Sequence, residues 1–202
     1  MEAVDRFYRS YSKYLESYDS DSLFNLLNSL HSLGDKLKTD NGIDLLKLDE
    51  FVTLKTIRNH LHHQTEMRNI FTTIPVDKIS GIHTEMVFMC LLYTSDINDS
   101  IEEVSNKYRS ETKDIINNTV HFYGDVVNIS HVIFNMAARL MVLLDKNNIV
   151  GISKGYLENY KCMMFDINNG YPIVVSGKIF YSNIGNVGTI DEILLNTLKS
   201  NK

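Results

Sequence analysis

The fold is decided by residues 23–37, LFNLLNSLHSLGDKL, in which leucine recurs at three- and four-residue intervals. That spacing places the leucines on one face of an α-helix and the polar residues on the opposite face. Asp19 and Ser20 precede the stretch as good N-cap residues, and Asn41-Gly42 follows it as a helix stop. The pattern predicts one amphipathic helix of a helical bundle.

Similar periodicity extends on both sides of this stretch. An aromatic stripe predicts a preceding helix, and further apolar stripes predict helices at about residues 44–69, 79–91, 100–120 and 129–144. Residues 72–75, TTIP, are predicted to connect two of them, because the residue before a proline avoids the α region. We therefore expect a mainly α protein, with an antiparallel bundle of about five or six helices over residues 1–148.

The pattern changes after the bundle. Residues 173–175, IVV, and 179–181, IFY, flank a glycine-containing turn and predict a β-hairpin. Thr189 followed by Glu192 has the capping-box spacing and predicts the start of a final helix. Residues 149–202 are therefore predicted to form a small α+β extension that packs on the bundle.

Charge limits the kinds of ligand. The 202 residues include 20 Lys+Arg and 25 Asp+Glu, which gives a net charge of −5. This balance argues against a broad basic face that coats duplex DNA, although a few local cations can still bind individual phosphates. Any contact with RNA is therefore expected to be local.

The chain has the features of a cytoplasmic protein. It contains no apolar run near the roughly 20 residues of a bilayer span, so we expect no membrane partner. Its N-terminus lacks an apolar signal segment. The two cysteines, Cys90 and Cys162, fit reduced thiols in a reducing compartment.

The segment of chemical interest is residues 56–64, TIRNHLHHQ. His63 can act as a general base or acid near neutral pH. Arg58 can donate two hydrogen bonds to a phosphate and stabilise the charge that builds up there. Asn59 can donate to the phosphate or orient the histidine. These three side chains supply the parts for metal-free cleavage of RNA.

Helical geometry leaves two arrangements open for this segment. On one continuous helix, Arg58 and His63 lie about 140° apart and converge poorly. Asn59 could instead cap a helix that starts there, which would place a phosphate at a helix N-terminus. Alternatively, the arginine of one chain could meet the histidine of a second chain.

The run from Arg58 to His63, RNHLHH, resembles the motif of the HEPN superfamily: an arginine, commonly followed by asparagine, and a histidine after four to six residues. This superfamily consists of helical-bundle proteins, many of them metal-independent endoribonucleases of toxin, abortive-infection and CRISPR systems. The resemblance implies Arg58, Asn59 and His63 as catalytic residues, and leaves His60 and His62 at most auxiliary.

The same resemblance implies how the protein works. The expected form is a homodimer with a composite site, in which the RNA 2′-hydroxyl attacks and leaves a cyclic phosphate. No cofactor is expected. The biological role would be that of a toxin or an antiphage abortive-infection effector, with an antitoxin or a phage protein as a possible partner.

Two alternatives belong to other functional classes. The bundle could be a non-catalytic interaction protein that binds a phage or host protein. It could also hold a metal through histidines such as His60, His63 and His83, although the chain lacks the usual HExxH and ExxH motifs. Cys90 lies in an apolar run, which favours a place in the core over a nucleophilic role.

Overall fold

The computed structural model describes residues 1–63, 69–75, 86–175, 180–183 and 186–189. Over these ranges the protein is mainly α-helical, with a four-stranded antiparallel sheet and a separate two-stranded hairpin. The predicted fold class, mainly α with a small α+β part, is confirmed.

The described helices are α1 (Glu2–Ser17), α2 (Ser20–Asn41), α3 (Asp49–His63), α4 (Thr94–Glu102), α5 (Asn106–Thr119), α6 (Ser130–Lys146) and α7 (Lys154–Asn168), with a short 3-10 turn at Leu45–Lys47. The strands are β1 (Asn69–Pro75), β2 (Met86–Tyr93), β3 (His121–Tyr123), β4 (Val126–Asn128), β5 (Phe180–Asn183) and β6 (Asn186–Thr189). The larger sheet has the order β1-β2-β4-β3.

A tight connection makes α1 and α2 an antiparallel pair. Tyr18 ends α1 in the left-handed conformation, with φ of 50°. Asp19 then caps α2: its Oδ1 accepts from the Ser22 N–H at 2.8 Å, and the Ser22 hydroxyl accepts from the Asp19 N–H at 3.3 Å. This capping box satisfies two backbone donors and starts α2 where the sequence predicts it.

The leucine stripe of α2 lies at the centre of the core, since each of its six leucines is 2% exposed or less. The same cluster includes aromatic side chains of α1 and apolar side chains of α6. Full burial of a leucine stabilises the fold by about 1.5–3 kcal/mol relative to exposure. The pairing of α1 with α2 therefore has a large hydrophobic contribution.

The helix predicted at about residues 79–91 is wrong over residues 86–91, which belong to β2, whereas residues 79–85 lie outside the described residues. This strand pairs with β1, which contains the predicted connection at residues 72–75, and Phe71 lies opposite Cys90. Residues 89–92 are all buried, on both faces of the sheet. A strand buried on both faces is continuously apolar and lacks the alternation that separates a strand from a helix in sequence.

α7 lies in the extension, where no helix was predicted before the hairpin, and it packs against α1 and α6. Tyr156 of α7 is 2% exposed and meets the ring of Tyr8 edge-on, with centroids 5.5 Å apart. Gly155 approaches α1 so closely that a Cβ would lie 2.6 Å from the Tyr8 carbonyl oxygen. This close contact explains the glycine near the start of α7.

The predicted hairpin is placed differently in the structure. Residues 173–175 are not a strand, and the Asn135 side chain bonds both the backbone N–H and the carbonyl of Val175. The described hairpin pairs β5 with β6, so that Phe180 lies opposite Thr189. Thr189, the predicted start of the final helix, is the last residue of β6, and the remainder of that helix lies outside the described residues.

A buried carboxylate joins α1 to the start of the extension. Asp5 Oδ1 accepts from the backbone N–H groups of Ile152 at 2.8 Å and Ser153 at 2.7 Å. Burial opposes ionisation of Asp5, but the hydrogen bonds from Ser153 and Ile152 outweigh it and lower the pKa of Asp5 below 3.8. The ionised form is therefore the one that holds this junction.

Asp5→Ala is expected to lower the free energy of unfolding by about 1.5–3 kcal/mol at pH 7, because two backbone N–H groups lose a charged acceptor whose side chain is buried. Urea denaturation measures this, with the exposed Glu16→Ala on the same helix as control. Because the pKa of Asp5 is lowered by folding, its contribution is complete above its unfolded pKa of 3.8 and disappears as pH falls through its folded value. Equal stability of the two variants at pH 7 would contradict this role.

Candidate functional site

The segment of interest lies within α3, which runs without interruption from Asp49 to His63. Phe51, Leu54 and Ile57 of this helix are buried in the core at three-residue intervals, which fixes its orientation. Asn59 is therefore an interior residue of the helix, and the arrangement in which it caps a new helix is wrong. Leu54 and Ile57 supply apolar contacts immediately before the motif, and these contacts stabilise a helix that continues through it.

Arg58 is half-buried and held by two side-chain amides. Its Nε donates to Asn28 Oδ1 at 2.9 Å, and its Nη1 donates to Asn59 Oδ1 at 3.3 Å. Both acceptors are neutral, and no carboxylate in the described part of the chain pairs with Arg58. These bonds use two of the five guanidinium N–H donors. Arg58 is thus oriented without being neutralised, a state suited to binding an anion.

Asn59 faces a cavity of about 610 Å³ between α3, the end of α4 and α5. Charged side chains from both walls line it, namely Lys55, Glu103 and Glu111, and Tyr108 adds an exposed aromatic ring. Asn59 thus joins the arginine to a concave surface of mixed charge. No local sequence pattern predicted these lining residues, because α3 and α5 come together only in the folded chain.

The His60 side chain is buried and contacts another side chain, so it is not accessible to a substrate. Its side chain is 6% exposed, and its Nδ1 lies 2.9 Å from Glu103 Oε1 at the C-terminal end of α4. This contact joins α3 to the α4–α5 connection. His60 therefore supports the wall of the cavity, which accounts for it without the auxiliary catalytic role that the motif left open. His62 is exposed on the same helix.

The position of His63 follows from the helix itself. Its backbone belongs to α3; the structure does not describe its side chain. Five residues along a continuous helix rotate the direction of a side chain by about 140° relative to Arg58. Helix positions 58 and 63 therefore lie on different sides of α3, as in the arrangement that pairs the arginine of one chain with the histidine of a second.

Asn28 was missed by the sequence analysis although it holds Arg58. Thirty positions separate the two residues, and asparagine in the polar face of an amphipathic helix is unremarkable in sequence. Only the packing of α2 beside α3 brings them into contact. No local pattern predicts this pair.

The alternative chemistries find little support in the described residues. No group of three or more His, Cys, Asp or Glu side chains is arranged there to hold a metal ion. Of the alternative ligand set, His60 is engaged with Glu103, whereas His83 and the His63 side chain lie outside the described residues. Burial raises the pKa of the Cys90 thiol to about 12, so this core cysteine is protonated at neutral pH.

Comparisons with known proteins add no relative. The chain matches no protein-family model, and neither the curated proteins nor the solved structures yield a match. Among the described helices, none combines the length and the apolar character needed to cross a bilayer.

His60→Ala is expected to reduce the free energy of unfolding by about 1–3 kcal/mol, because it removes a buried ring and leaves Glu103 without this partner. His62→Ala, at an exposed position of the same helix, is expected to reduce it by less, because no buried ring is removed. Urea denaturation at pH 7 compares the two variants. A larger loss in His62→Ala would contradict the structural role of His60.

Proposed function

We propose that this protein is a metal-independent endoribonuclease of the HEPN type that acts as a homodimer. Its role would be that of a toxin or an antiphage abortive-infection effector in the cytoplasm. The observation that carries the proposal is the state of Arg58: half-buried, oriented by Asn28 and Asn59, and without a carboxylate partner among the described residues. A guanidinium that is held in place by neutral amides keeps its positive charge and its remaining N–H donors for a phosphate.

The chemistry assigned to the site is transfer of a phosphoryl group within the RNA. The 2′-oxygen attacks the adjacent phosphorus, the bond to the 5′-oxygen breaks, and the products are a 2′,3′-cyclic phosphate and a 5′-hydroxyl. Arg58 donates to the non-bridging oxygens, where negative charge increases in the transition state. His63 removes the 2′-hydroxyl proton or protonates the leaving oxygen. Asn59 keeps the guanidinium in place.

The positions of these two residues on the helix support the proposed homodimer. Arg58 and His63 of one chain diverge by about 140° on α3, so in this proposal Arg58 works with His63 of the partner subunit. A two-fold symmetric dimer then contains two equivalent composite sites, because each chain contributes its arginine to one and its histidine to the other.

Wild-type protein is expected to cleave RNA in the presence of EDTA, and Arg58→Ala or His63→Ala to lower the rate by about 100-fold or more. Gel analysis of a labelled RNA measures this. Arg109→Ala and His31→Ala are matched controls, since they remove an arginine from α5 and a histidine from α2. Circular dichroism establishes that each variant folds.

Mixing the two inactive variants tests the composite site directly. A mixed dimer combines the intact arginine of the His63→Ala chain with the intact histidine of the Arg58→Ala chain. After subunit exchange, activity is expected to return to about a quarter of the wild-type level, because half of the dimers are mixed and each has one intact site. No recovery despite measured exchange would contradict the composite site. A folded wild-type protein without cleavage would favour the non-catalytic interaction protein.

A further inference from the structure

A second concave surface lies between α1 and α2, on the side of α2 opposite its leucine stripe. This α1–α2 groove has a volume of about 450 Å³ and is lined by three cationic, two asparagine and four serine side chains. The cations are Arg6, Arg9 and Lys13 of α1, all exposed, and the asparagines are Asn25 and Asn28 of α2. None of these lining residues is acidic or apolar.

The cations are spaced for an extended anion rather than a small one. Arg6, Arg9 and Lys13 follow at three- and four-residue intervals, so they share one face of α1. Seven residues separate the first from the last, which is about 10 Å along the helix axis. One phosphate cannot contact both ends of this row. A chain of phosphates can, and the two asparagine amides of α2 that line the groove can donate to its oxygens.

Neighbouring carboxylates leave this positive character largely intact. Arg9 Nη2 lies 2.7 Å from Glu2 Oε1, but both side chains are more than half exposed, so the pair is weak and easily exchanged. Asp19 lies near Lys13 and is already engaged with Ser22, whose hydrogen bonds are the main cause of its lowered pKa. Neither carboxylate lines the groove.

The groove adjoins the proposed catalytic arginine. Asn28 lines it, and the Oδ1 of Asn28 accepts the hydrogen bond from Arg58 Nε at 2.9 Å. A strand lying along Arg6, Arg9 and Lys13 therefore passes the residue that holds Arg58. A groove lined by three of the 20 Lys and Arg residues gives the local contact with RNA that a net charge of −5 leaves open.

We propose that the α1–α2 groove binds the phosphate backbone of single-stranded RNA and directs the strand toward Arg58. The inference rests on the proposed function, since it names where the substrate lies. No aromatic side chain lines the groove to stack on bases, so this contact reads the backbone and is independent of base sequence.

The test measures binding of a fluorescein-labelled 20-nucleotide oligouridine by anisotropy, with His63→Ala present in every protein to prevent cleavage. The groove variant is Arg6→Gln/Lys13→Gln. Its control, Lys154→Gln/Lys161→Gln, removes two exposed lysines of α7 at the same seven-residue spacing. Loss of two phosphate contacts is expected to weaken binding on the order of tenfold at 0.1 M salt, and to lower the slope of log K against log salt by about 1.4. The control is expected to change neither.

Equal affinity and slope for the groove variant and the control would overturn the groove assignment. Binding to anionic phospholipid vesicles that depends on the groove, without such dependence for oligouridine, would overturn it too. These outcomes are distinct from failure of the proposed function, which appears as absent cleavage by the wild-type protein. Cleavage with groove-independent binding rejects only the groove, and groove-dependent binding without cleavage rejects only the nuclease. Thermal denaturation confirms that both double variants are folded.

Discussion

Six leucines on one face of α2 have to be buried together, and this constraint determines where the other elements lie. The leucine face turns toward the core formed with α1 and α6. The polar face of the same helix is thereby directed outward, where its asparagines and serines line the α1–α2 groove. Asn28 occupies the edge of that face and reaches Arg58 of α3. The contact that orients the proposed catalytic arginine is thus a consequence of hydrophobic burial elsewhere on α2.

α3 separates two concave surfaces, and Arg58 is connected to both. Through Asn28 it adjoins the α1–α2 groove, which is lined by cations and neutral polar groups. Through Asn59 it adjoins the cavity of mixed charge between α3 and α5. The contact between the buried His60 ring and Glu103 supports the second wall. In the proposed site, neighbouring residues of one motif have distinct roles: Arg58 binds the phosphate, Asn59 orients Arg58, and His60 stabilises the fold.

The sequence predicted the helices that bury one face and expose the other. α2 and α6 have clear apolar stripes, and the cap residues of α2 predicted its boundaries closely. β2 was mistaken for a helix because it is buried on both faces. Such a strand lacks the alternation of apolar and polar residues that distinguishes a strand from a helix in sequence. α7 was missed because it buries few side chains, with Tyr156 and Met163 as its main apolar contacts. The motif at Arg58 and Asn59 was visible in sequence, whereas Asn28 was not, since tertiary packing alone unites residues thirty positions apart.

The chemistry of the RNA ends tests the central claim most directly. Attack by the 2′-hydroxyl requires neither a water nucleophile nor a metal ion, so the products formed in EDTA by the wild-type protein identify the mechanism. Mass spectrometry of the fragments is predicted to show 2′,3′-cyclic phosphate and 5′-hydroxyl ends. Fragments with 3′-hydroxyl and 5′-phosphate ends, or RNA that stays intact with the folded protein, would contradict the account.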